Sequence, residues 1–252
     1  MEIVPKGEQA FEWVNKVGAS PIVLVCEHAS NHVPEQFLRL GLMPEDLARH
    51  IAYDIGVAGV ARALSRLLNA PLIVLRFSRL IYDCNRPPEA VGAMPEVSEV
   101  FEIPGNKNLS VAERLARTQQ VYRPFHHALE SFLDERAAAR KPSALVSIHS
   151  FTRIYKGQHR AVDLGLLFDR DDRLARRMMG AIPEFTTRFN EPYGPADNVL
   201  HLMNLHAAPR GMHYLMIEIG NDLIEKASNQ EQWAERLAAP LAAAAITLGE
   251  NE

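Results

Sequence analysis

Three short apolar runs in this chain end in an imidazole or a carboxylate. Ile22-Val23-Leu24-Val25-Cys26 leads into Glu27-His28, and Ala144-Leu145-Val146-Ser147-Ile148 leads into His149-Ser150. His213-Tyr214-Leu215-Met216-Ile217 leads into Glu218. Runs this rich in β-branched and large aliphatic residues predict buried strands. Leu72-Ile73-Val74-Leu75 and the run Val162 to Phe168 predict two more. Helical patterns lie between them. Leu47, Ile51, Ile55, Val60, Leu64 and Leu67 recur at helical spacing, which predicts one helix from about Pro44 to Leu68, stopped by Asn69-Ala70-Pro71. Ser110 with Glu113 reads as a capping box opening a helix to about Arg140. Asp169 to Gly180 and Gln230 to Leu248 predict two further helices. Between Asn85 and Leu109 the chain is rich in Pro and Gly with little periodicity, the mark of a long functional loop. Strands alternating with helices predict an α/β fold: a mixed, largely parallel sheet with helices on both faces. No linker-like shift or repeat divides residues 1–252, so one domain is expected.

Composition narrows the class of function. The chain has 252 residues, is 47% hydrophobic and carries a net charge of −4, with no long run of basic residues, so no nucleic-acid partner is expected. It contains no apolar stretch near the ~18 residues a spanning helix needs, and so no membrane partner is expected. Met1-Glu2-Ile3-Val4-Pro5 lacks the features of a signal peptide, and two cysteines are too few for a disulfide framework. A cytoplasmic setting is the expectation.

The strand ends carry the chemistry. In an open α/β sheet, ligands bind outside the carboxyl ends of the strands. His28, His149 and Glu218 at three such ends point to one metal centre with an attached general base. Glu218 is the expected catalytic carboxylate, because the end of an apolar strand should raise its pKa.

Several further motifs recur in a fixed order. They are Cys26-Glu27-His28-Ala29-Ser30-Asn31-His32-Val33-Pro34, Tyr53-Asp54-Ile55-Gly56, Tyr82-Asp83-Cys84-Asn85-Arg86-Pro87-Pro88 and Ile103-Pro104-Gly105-Asn106. Tyr122-Arg123-Pro124-Phe125-His126, Ser147-Ile148-His149-Ser150-Phe151 and Ile217-Glu218-Ile219-Gly220-Asn221-Asp222 complete the set. As a set they resemble the N-formylglutamate amidohydrolase family, a distant relative of zinc carboxypeptidases and aspartoacylases. The resemblance implies a phosphorylase/hydrolase-like α/β/α fold and a cytoplasmic, metal-dependent amidohydrolase of histidine degradation. Its cofactor would be Zn²⁺ or another divalent metal, and its substrate an acidic N-acyl amino acid, best N-formyl-L-glutamate. His28 and His149 take the places of two metal ligands, and Glu218 that of the catalytic carboxylate.

The third ligand stays open among Asp54, Asn31 and Glu27. Zinc carboxypeptidases place a Glu where this chain has Asn31, and an amide oxygen is an uncommon zinc ligand. Asp54 is the better match in charge, whereas strand alternation sends Glu27 away from His28. Arg86 in the Asn85-Arg86-Pro87-Pro88 turn resembles the Asn-Arg pair that binds a terminal carboxylate, and Arg matches a carboxylate bidentately. Asn85, Asn31, His126 and His206 are the other expected substrate-binding residues. The opening His28-Ala29-Ser30-Asn31 differs from the His-Ser-Gly type of the defined formylglutamate branch. Another N-acyl amino acid, a carboxypeptidase-like reaction and a non-catalytic binder are therefore alternatives. A cysteine hydrolase built on Cys26 is a fourth.

Overall fold

The computed structural model of the chain describes residues 2–249; the ends of the expected domain, residues 1 and 250–252, lie outside them. Its first half runs through β1 (Phe11–Val14), β2 (Ile22–Cys26), α1 (Pro44–Leu47), α2 (Val57–Leu68) and β3 (Leu72–Leu75). A small ribbon of β4 (Val97–Ser98) and β5 (Phe101–Glu102) follows, then α3 (Val111–Arg117) and α4 (Arg123–Ala138). The second half holds β6 (Ala144–Phe151), the ribbon of β7 (Ile154–Tyr155) and β8 (Gln158–His159), β9 (Leu164–Leu167) and α5 (Arg173–Met178). It closes with β10 (Thr187–Phe189), α6 (His201–His206), β11 (His213–Gly220) and α7 (Ala227–Gly249).

Seven strands form one mixed sheet in the order β1-β3-β2-β6-β11-β9-β10. The central four, β3-β2-β6-β11, are parallel to one another. β1 adds antiparallel at one edge, and at the other the parallel pair β9-β10 attaches antiparallel to β11. Side chains alternate across each strand and feed two cores. Val23, Val25, Ile73, Leu145 and Met216 pack on one face with Phe125, Leu129 and Leu133 of α4. Ile22, Leu24, Val146, Ile148 and Ile217 pack on the other with Val60 and Leu64 of α2 and Trp233 and Leu237 of α7. Helices on both faces of a largely parallel sheet are what the sequence pattern predicts.

Three local expectations change. The single helix expected over 44–68 is two, α1 and α2, separated by a turn that contains Tyr53-Asp54-Ile55-Gly56. Ile51 and Ala52 pack in the α4-side core, whereas Val57 and Val60 pack in the α2-side core, so the chain crosses from one face of the sheet to the other between them. No straight helix could serve both faces. The helix expected to run from Ser110 does begin at the predicted capping box, with Glu113 N–H donating to Ser110 Oγ at 3.2 Å. It then loosens into a π-helical turn over Thr118–Tyr122 before α4, beside Pro124, which has no N–H to give. Finally, β6 and β11 are longer than the apolar runs suggest. His149, Ser150 and Glu218 lie within strands rather than beyond them, because all three are buried against neighbours.

Candidate metal centre and active-site cleft

Register brings the strand-end groups together. β11 pairs with β6 so that Glu218 lies opposite His149, and β2 runs parallel beside β6, delivering His28 two residues past its end. The turn between the two helices supplies Asp54, whose N–H donates to the His28 carbonyl at 2.9 Å. His28, Asp54 and His149 are all buried, and each offers one ligand atom within 4.8 Å of the others.

Both imidazoles hold a carboxylate at each ring nitrogen. His28 places Nε2 2.9 Å from Asp83 Oδ1 and Nδ1 3.3 Å from Asp54 Oδ2. His149 places Nε2 3.1 Å from Glu27 Oε1 and Nδ1 2.8 Å from the same Asp54 oxygen. With each Nε2–H donating to its outer carboxylate, two Nδ1 lone pairs and one carboxylate oxygen converge on a common point. Three acceptors facing one another need positive charge between them. A divalent cation meets that need, with outer carboxylates orienting the ligating rings, an arrangement typical of metal-bound histidines. Without a metal the burden falls on protons. Burial opposes the imidazolium at His149, but Glu27 and Asp54 outweigh it and drive its pKa well up; at His28, Asp83 and Asp54 outweigh burial and Arg79. Burial also works against the Asp54 and Asp83 anions, and the neighbouring imidazoles, with Arg79 beside Asp83, overcome it and hold both carboxyls down.

Glu218 behaves differently. Burial pushes its carboxyl up to about 7, against the pull of His149, and nearby Asp54 adds to the rise. Its Oε2 is buried without a hydrogen-bond partner. A carboxyl that titrates near neutrality, unpartnered and facing a metal-competent triad, is suited to general acid–base work.

These groups floor a cleft of about 410 Å³ whose walls include Arg79, Arg86, Tyr155, Arg160 and Tyr193. Arg79 donates to Asp54 Oδ1 at 3.2 Å and to Asp83 Oδ2 at 2.7 Å, so it fixes the two carboxylates around His28. Arg86 lines the cleft, and its Nη1 donates to the Asn198 carbonyl. Asn85 also lines it, but its amide is engaged: Nδ2 donates to the Val199 carbonyl at 2.5 Å and Oδ1 accepts from Leu202 N–H at 3.0 Å.

Three of the expected site residues lie elsewhere. Asn31 is exposed, away from the cleft lining, and donates to the Leu47 carbonyl at 3.0 Å. His126 and His206 are buried behind the Asp83-Cys84-Asn85-Arg86 turn, their Nδ1 and Nε2 2.8 Å apart. His126 Nε2 reaches the Cys84 carbonyl at 2.9 Å, so the pair braces the turn that carries Asp83 and Arg86. Glu27, weighed as a ligand, is fully buried and meets His149 from its outer side. Cys26 is buried in the α2-side core, and burial holds its thiol well above the usual range, which removes the thiolate a cysteine hydrolase requires. Arg79, Asp83 and Arg160 are cleft residues that the sequence alone does not single out. Asp83 carries a signal, as an acid inside the motif that runs from Tyr82 to Pro88.

The model of the N-formylglutamate amidohydrolase family matches residues 20–225, a span that contains all of these groups. Among solved structures, the gene product Atu2144 from Agrobacterium tumefaciens is 43% identical, with a TM-score of 0.95 over 98% of this chain and 100% of that one. The N-formylglutamate amidohydrolase from Ralstonia eutropha JMP134 is 19% identical, with a TM-score of 0.66 over 97% of this chain and 100% of that one, a likeness of fold. No curated protein matches the chain.

Proposed function

Because the chain belongs to the N-formylglutamate amidohydrolase family, we propose that it hydrolyses the amide of an acidic N-acyl amino acid with the help of a divalent metal, zinc first. N-formyl-L-glutamate, cleaved to formate and glutamate, is the substrate we assign, in the cytoplasm and in histidine degradation. One observation carries this reading: two histidine Nδ1 atoms meet a single Asp54 oxygen, while each Nε2 is held by its own outer carboxylate.

His28, His149 and Asp54 would hold the ion. When bound, it supplies Lewis acidity toward an amide carbonyl and lowers the pKa of water to ~7. The protein groups do the rest. Glu218, titrating near neutrality, accepts the proton of the attacking water and returns it to the departing nitrogen. Glu27 and Asp83 keep the imidazoles in the Nε2–H tautomer, and Arg79 keeps Asp54 and Asp83 in place. Arg86, at the wall of the cleft, receives the α-carboxylate of the amino acid.

The test is metal content together with amine release. The purified protein should carry one equivalent of divalent metal, and His149→Ala should lose it. Amine release from N-formyl-L-glutamate should stop with a chelator and return with zinc. Full metal occupancy in His149→Ala, or hydrolysis indifferent to chelation, overturns the reading. Because the opening after His28 departs from the defined branch, the same assay is run over other N-acyl amino acids.

A further inference from the structure

Three arginines line the cleft, and they are not equivalent. Arg79 is ion-paired with both Asp54 and Asp83. Arg86 and Arg160 have no carboxylate partner among the described residues; Arg86 donates only to the carbonyls of Asn198 and Asn85. The guanidinium of Arg160 lies over three rings, 4.5 Å from the centroid of Tyr155, 4.6 Å from that of Tyr193 and 5.9 Å from that of Phe151. Its Nη1 donates to Tyr193 Oη at 2.9 Å and more weakly to the Thr152 carbonyl at 3.4 Å.

The acids on the rim are occupied elsewhere. Glu99 accepts from Lys156 N–H at 2.8 Å and lies 2.9 Å from His50 Nε2, and Asp197 accepts from Gly194 N–H at 2.8 Å. The first of these contacts ties the tip of the β7–β8 ribbon, which presents Tyr155 and leads into Arg160, to the tip of the β4–β5 ribbon. Ring faces stabilise a cation but accept none of its in-plane N–H groups. A guanidinium has five such donors in a rigid fork, and only Nη1 of Arg160 is engaged. Two arginines without acids therefore face one cleft beside a site built for a hydrolysable amide.

We propose that Arg160 receives a second carboxylate, so that the cleft reads its ligand as a dicarboxylate, with one carboxylate at Arg86 and the side-chain carboxylate at Arg160. This rests on the hydrolase reading only for the kind of ligand. Tyr155 and Tyr193 hold the fork in place before the ligand arrives, which limits the ordering cost of binding.

Calorimetric binding separates this proposal from the activity. In zinc-loaded Glu218→Gln protein, which cannot turn its ligand over on this scheme, N-formyl-L-glutamate should bind at least about tenfold tighter than N-formyl-L-glutamine. Adding Arg160→Gln should bring the two affinities within about threefold by weakening the glutamate ligand alone. Retained glutamine binding reports an intact cleft. Arg160→Lys, which keeps the charge and loses the fork, should fall between. The proposal is overturned if the parent shows no preference, if Arg160→Gln leaves the preference unchanged, or if both ligands weaken together. A preference that vanishes in Arg160→Gln supports it even if wild-type protein releases no amine, a result that would end the hydrolase reading by itself.

Discussion

At Glu218 the local physics runs opposite to that at Asp54 and Asp83. All three carboxyls are buried, yet the latter two gain enough from neighbouring imidazoles and Arg79 to stay ionised, while Glu218 has an unpartnered oxygen and titrates near 7. Glu218→Gln keeps the shape and removes the proton acceptor. It should lower kcat by about 10²- to 10⁴-fold with metal content unchanged. A loss under about tenfold, measured on a substrate that wild-type protein cleaves, would give the proton transfer to another group. Residue by residue, the candidate site is legible where the chemistry coincides with a strand end. His28, His149 and Glu218 are readable for that reason, and Asp54 is readable from its charge. Arg79 and Arg160 are not, because each acts through a contact made only on folding; Asp83 sits in a motif, but its meeting with His28 spans 55 positions of sequence. His126 and His206 show the converse. Motif membership marked them, but burial behind the loop makes them its support.

At the scale of elements, periodicity was a good guide to the strands and a poor one where the chain changes faces. The spacing of Leu47, Ile51, Ile55 and Val60 is helical, but its first half serves one core and its second half the other. The crossing turn is what delivers Asp54 to the strand ends. Gly56 makes it feasible, with φ at +82° and with its α-carbon so close to Ile224 that an added Cβ would sit 2.2 Å from that residue's carbonyl oxygen. Gly56→Ala should therefore cost about 2–5 kcal/mol, the sum of left-handed strain and overpacking. It should also weaken metal binding, because Ser150 Oγ holds the neighbouring Ile55 carbonyl at 2.8 Å and a shifted turn carries Asp54 with it. Gly157→Ala is the control, with φ at +76° but nothing within 4 Å of the new carbon. Urea denaturation and metal titration of the two variants decide the matter; equal losses would mean that backbone strain alone matters at Gly56. β1, β10 and α6 escaped the sequence reading because they are short, and their identity depends on the edges and loops they meet.

For the molecule as a whole, the α4-side core and the cleft are coupled through the His126–His206 pair. His126 Nε2–H donates to the Cys84 carbonyl, so its Nδ1 is the acceptor for His206 Nε2–H, and His206 Nδ1 is left buried without a partner. Burial depresses both imidazoles, reinforced at His126 by His206 and at His206 by Arg210; His206 falls to about 4 and His126 well below its usual range. The sign follows from linkage. As pH falls below ~6.5 the unfolded chain takes up protons that the folded pair refuses, so this contribution is whole above that pH and is lost on the way down to the folded pKa. For His206 it amounts to ~3 kcal/mol. His28, His149 and Glu218 act in the reverse sense over an overlapping range, because folding raises their affinity for protons in the metal-free protein. The slope of total stability against pH therefore cannot isolate the pair, but a difference between two proteins can. His206→Gln removes one titrating group and leaves the cleft histidines common to both. At about pH 7.5, with chelator present, it should be less stable than wild type by ~1 kcal/mol, the worth of a buried hydrogen bond. Toward about pH 4.5 the gap should close and then reverse, as wild type pays the protonation penalty that the variant has lost. Urea midpoints across that range provide the measurement. A gap that stays constant, or widens on acidification, would show that the pair is protonated in the folded protein and that the bracing of the Asp83–Arg86 turn does not depend on neutral imidazoles.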